Sequence, residues 1–152
     1  MTTKVFTVAA LAALAALAVP ALCAEGETAF QRDLVKEYAQ GLIQEKGTAA
    51  FAEIVAFCNE RLATAEPWLR LDYVLVKANA LMLSAETKED LQKACDTLEA
   101  DLQSVDRTRE ERADLIAECE RALKSWREQA DQVLRAAAHT RDVIEAARHP
   151  RQ

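Results

Sequence analysis

Glycine and proline are missing from most of this chain. The three glycines, Gly26, Gly41 and Gly47, all precede residue 48, and neither residue type occurs between Trp68 and His149. A β-protein needs turn residues through such a stretch and a helical one does not. Valine and isoleucine are sparse and never alternate strictly with polar residues, so the chain reads as all-α. Histidine is also scarce. His139 and His149 are too far apart for the i, i+4 pair that holds a metal on a helix, and they read as solvated side chains. No C-x2-C pair accompanies Cys58, Cys95 and Cys119, and there is no C-x-x-C-H, so neither zinc nor haem is expected. Serine nucleophile elbows, phosphate-binding glycine loops and metalloprotease motifs are absent, and no cofactor or enzymatic activity is expected. No basic excess exists either. The net charge is −6 with the signs interspersed, which argues against a nucleic-acid partner.

What is present begins with an address. Lys4 is followed by an uncharged Ala/Leu/Val run from Val5 to Leu22 and then by small residues before Glu25. One positive charge, an apolar core and a small-residue exit make a secretory signal, with cleavage expected after Ala24 and a rival cut after Ala21. Residues 1–24 are therefore read as a signal peptide and 25–152 as a single helical domain, secreted or periplasmic, with no membrane span after cleavage. The alternative is a membrane tether, through an uncleaved N-terminus or through lipidation of Cys23.

The domain is organised around one stretch. From Trp68 to Leu83 only Arg70, Asp72, Lys77 and Asn79 are plainly polar, and Pro67 suits a first helical position. A helix apolar on most sides sits inside others. Before it, one helix carries the four-apart row Phe30, Leu34, Tyr38 and Leu42 and closes at Lys46-Gly47. A second, capped by Thr48, carries Phe51, Ile54, Val55, Cys58 and Leu62. After it, Thr87 to Asp90 is a capping sequence for a helix bearing Leu91, Ala94, Cys95, Leu98 and Leu102. Thr108-Arg109-Glu110-Glu111 is a capping box for the last helix. Starts roughly 20 residues apart with short turns require antiparallel neighbours, as an up-and-down bundle or a short stack of αα-hairpins. The last helix, unbroken from Arg109 to Ala147, would run about 58 Å, so it bends near His139-Thr140 or leaves the bundle.

Three candidate sites follow. Cys95 and Cys119 lie equally far from a turn centred near residue 107, which suggests a disulfide in an oxidising compartment. Trp126, Val133, Leu134, Ala137 and Ile144 form an apolar face on the long last helix that must meet this chain, a second copy or another protein. Trp68, Asp72 and Asn79 outline a pocket in which a carboxylate on an apolar helix would face a ligand. The leading expectation is an exported protein that binds an unidentified protein partner or itself through the last helix. The alternative is a small-ligand-binding helical domain at Asp72/Asn79.

Overall fold

A computed structural model describes residues 26–65, 69–105 and 113–149, with side chains from Leu34 onward. The leader 1–24 with Cys23, the Glu66-Pro67-Trp68 entry and the Thr108–Glu111 capping box lie outside the described residues. The described residues are all-α, with no strand. The helices are α1 (Gly26–Lys46), α2 (Ala50–Leu62), α3 (Arg70–Ser84), α4 (Lys88–Gln103), α5 (Ala113–Glu128) and α6 (Ala130–Arg148), with a 3-10 turn at Gly47–Ala49 between α1 and α2.

Helix α3 is the hub. It packs against α1, α2, α4, α5 and α6, and every residue from Leu71 to Ala80 is buried. Large side chains such as Leu71, Val74 and Leu83 are sealed from water, each worth about 2 kcal/mol of transfer free energy. The first and last helices also meet, since α6 reaches both α1 and the 3-10 turn. Terminal helices of a hairpin stack stay apart, so this is a closed bundle wrapped around α3.

Gly47 terminates α1 in the left-handed region, at φ 65°, the usual place for glycine just past a helix. The sequence expects Thr48 to cap α2, and the structure corrects this. The residue preceding α2 is Ala49, which provides no side-chain cap. Thr48 instead donates from its backbone N (2.8 Å) and its Oγ1 (3.0 Å) to Glu145 Oε1 of α6. A full carboxylate at a helix start satisfies the orphan donors and the dipole together. A β-carbon on Gly47 would strike Glu145 Oε1 and come within 2.7 Å of Arg148, so glycine there is required for space as well as for φ. Thr87 does cap α4, in a reciprocal box: Asp90 N donates to Thr87 Oγ1 and Thr87 N to Asp90 Oδ2, both at 3.1 Å. Those backbone donors, Glu86 N first, hold the Asp90 carboxyl below its ordinary range.

Besides the glycine after α1, three helix ends share another device. Arg70 donates to Leu62 O at the end of α2 (2.7 Å) and to Ser104 Oγ after α4 (3.2 Å). Arg141 donates to Leu83 O (2.7 Å) and Ala85 O (2.9 Å) at the end of α3. Arg148 donates to Glu45 O at the end of α1 (2.9 Å). In each case a guanidinium from a different helix satisfies carbonyls that the helix itself leaves open.

The expected C-terminal rod is interrupted, and at a different place from the one the sequence suggests. Gln129, at φ −123° and ψ 39°, leaves the helical region between α5 and α6, whereas His139 and Thr140 are regular helix. The break returns α6 onto α3, where Val133, Ala137 and Thr140 are buried. A straight rod would carry that face beyond the short helices it has to cover.

The Glu145–Thr48 contact leads to a pH prediction. The Thr48 donors, backbone first, and the neighbouring Arg148 and His149 charges hold the Glu145 carboxyl below the usual glutamate range. Its folded pKa lies below its unfolded one, so its stabilisation is complete at neutral pH and is lost as pH falls through the folded pKa. Glu145→Gln is therefore expected to melt below the wild type at neutral pH, the two curves converging in acid. A difference that does not change with pH would show that the carboxylate charge contributes nothing.

Candidate functional site

Part of the four-apart row on α1 faces outward. Leu34 is 46% and Tyr38 38% exposed, while Val35, Ala39 and Leu42 form the buried side. Leu34 and Tyr38 line one side of a surface groove of about 560 Å³, with Val35 behind them, Phe57 and Arg61 of α2 opposite, and Leu69 and Tyr73 at the start of α3.

Helical spacing builds the groove. Leu34 and Tyr38 are one turn apart on α1, as are Phe57 and Arg61 on α2 and Leu69 and Tyr73 at the entry to α3. The Tyr38 and Phe57 rings lie 4.2 Å apart, tilted by 33°. Phe57 meets Tyr73 edge-on at 6.1 Å. Arg61 Cζ stands 5.2 Å over the Phe57 ring, a cation held on a π-face. Burial pushes the Tyr73 phenol up, and the Arg61 charge opposes that shift. Arg61 is the one charged side chain among the described groove residues. The guanidinium has no ion-pair partner among the described residues, although the chain as a whole is acidic. Tyr38 and the half-buried Phe57 present ring surface there, braced from behind by the buried Tyr73, a rigid contact area at low entropic cost.

The sites expected from sequence fall elsewhere. Trp126, Val133 and Ala137 are buried in the single core, and Leu134 and Ile144 pack against it half-buried. The apolar face of the last helix thus meets this chain's own core, because the turn at Gln129 folds it inward. Asp72 and Asn79 are 2% and 1% exposed on α3, enclosed by the helices around it. Asn79 Nδ2 has no hydrogen-bond partner among the described residues. No disulfide joins Cys95 and Cys119, which remain buried thiols like Cys58. Equal distance from a turn sets height along two helices and leaves the direction of each side chain open. Burial pushes the Cys58 thiol up to about 12, opposed by the Lys77 charge, and raises Cys95 as well. Such thiols are poor nucleophiles.

A second depression, at the α5–α6 junction, is lined by charged groups. Two of its cations are already engaged: Lys88 with Asp131 (3.3 Å), and Arg127 with Glu99 (3.0 Å) and Asp96 (3.4 Å). Among the described residues no group of three or more His, Cys, Asp or Glu side chains is placed to hold a metal ion, and no helix is long and apolar enough to cross a membrane. Comparison with protein-family models, curated proteins and solved structures finds no match in any of the three. Sequence reasoning read Leu34 and Tyr38 only as members of the first helix's apolar row and not as a site. The signal that would have exposed the outward face is the adjoining pair Val35 and Ala39, whose smaller side chains suit close helix packing.

Proposed function

We propose that this chain is an exported helical protein that works without catalysis, by binding another protein, and that the groove between α1, α2 and the start of α3 makes the contact. The leader supports the export reading, with the mature protein secreted or periplasmic. The observation that carries the binding reading is the joint exposure of Leu34 and Tyr38 beside the Phe57–Tyr73 pair. Large apolar side chains are normally scattered singly on a surface, and their concentration in one concave site marks an interaction surface. The last helix, first in line for this role by sequence, turns its apolar face inward instead.

The test is site-specific photo-crosslinking in the cells that export the protein. A photoreactive residue at Tyr38 is expected to capture a discrete protein partner, and capture should be lost when Leu34→Ser is added. The same probe at Val143, an exposed apolar position on α6, should capture nothing discrete. Equal capture at the two positions, or none at Tyr38, would overturn the assignment.

A further inference from the structure

Resting on that groove reading, we infer that the occupant is an acidic amphipathic segment of another protein, with apolar side chains seated on the aromatic cluster and a carboxylate bound by Arg61. Three observations lead there. First, Arg61 is the only charged residue among the described lining of an apolar groove, and it stands on an acidic chain, so the local charge is opposite to the global one. Second, the Phe57 ring at 5.2 Å holds the guanidinium by its face. A guanidinium placed over a ring keeps several N–H donors, and two of them can match a carboxylate in bidentate geometry. The other arginines that bridge the bundle, Arg70, Arg141 and Arg148, give theirs to helix carbonyls. Third, the residues one turn apart on each wall present rows rather than a single socket, which suits the i, i+3 and i, i+4 anchors of a helix lying in a groove.

A fatty acid offers the same pairing of an apolar chain with a carboxylate. The groove does not suit it. A lipid chain needs a closed cavity that removes most of its surface from water, whereas two of the principal walls here, Leu34 and Tyr38, remain 46% and 38% exposed. Side-chain anchors tolerate such an open rim, because the partner's own backbone covers it.

The experiment uses the exported chain and a short fluorescent helical peptide carrying leucines one turn apart with a glutamate one turn beyond. Its twin has glutamine in place of the glutamate, and dodecanoate serves as the lipid probe. The glutamate peptide is expected to bind about fivefold more tightly than its twin, a preference that shrinks as salt is raised. Arg61→Gln should abolish the preference while leaving the weaker, apolar binding of both peptides. Arg61 is exposed, so this variant should keep the wild-type melting curve. Tyr38→Ala should weaken both peptides alike. Equal binding of the two peptides to the wild type overturns the carboxylate inference and leaves the groove standing. Binding of neither overturns the groove and the inference together. Dodecanoate displacing the glutamate peptide assigns the site to lipid and overturns the inference.

Discussion

Replacing Leu75 by aspartate is expected to abolish the folded state. Leu75 is 4% exposed and lies in the middle of a helix that touches every other helix of the bundle. The substitution removes about 2 kcal/mol of apolar transfer and places an unpaired carboxylate where no described groove admits water. An uncompensated charge in such a place costs several kcal/mol more. Against a total stability of about 5–15 kcal/mol for a domain of ordinary size, the sum removes most or all of the fold. The readout is a thermal melt by far-ultraviolet circular dichroism, in which Leu75→Asp shows no cooperative transition. Leu75→Met, which conserves volume, should lose less than about 1.5 kcal/mol. If Leu75→Asp keeps a native melting temperature, α3 is not the shielded centre of the molecule.

The second large effect concerns Lys77, a cation that α3 buries. Lys77 Nζ lies 2.9 Å from Asp101 Oδ2 of α4, with side chains 9% and 22% exposed. Cutting Asp101 to alanine leaves the ammonium among apolar neighbours, and breaking such a pair from one side costs about 3 kcal/mol, at the lower end because Asp101 keeps some water. Removing both charges is a different experiment. Lys77→Met with Asp101→Leu replaces the pair by apolar groups of similar volume and is expected to end near the wild type. Urea denaturation of the two single variants and the double closes the cycle. A loss below about 0.5 kcal/mol in Asp101→Ala would place the pair among ordinary surface ion pairs. The Cys58 thiol senses both groups, the Lys77 charge drawing it down and the Asp101 charge pushing it up.

The central helix was legible in the sequence because its composition leaves little choice. A segment with four plainly polar residues in sixteen cannot lie on a surface without exposing an apolar face. The α1 end at Gly47 and the Thr87–Asp90 cap were legible because they rest on local backbone chemistry. What escaped depends on partners distant in sequence. A four-apart row shows that Leu34 and Tyr38 share a face, but the direction of that face is set by α2 and α3, and those helices take Val35 and Ala39 instead. The break at Gln129 has no glycine or proline to announce it, and the apolar register runs through it from Trp126 to Val133 without a slip. The candidate groove was out of reach for the same reason, since its walls come from three helices and only the fold brings them together. Thr48, expected to cap α2, instead sits inside the 3-10 turn and bonds Glu145, 97 residues away.

The arginines at the helix ends set how this molecule can loosen. In many helical proteins each rod finishes within itself, so its last turn can melt while the rest stays intact. Here the final carbonyls of α1, α2 and α3 are held by Arg148, Arg70 and Arg141, each rooted in a helix other than the one it finishes. Lysine cannot replace the two-armed grip of Arg70, which donates from Nη1 to Leu62 O and from Nη2 to Ser104 Oγ, since a single ammonium has no planar fork. Partial unwinding of one rod must therefore pull on another, and the shortage of glycine that first marked the sequence becomes, in three dimensions, a source of cooperativity.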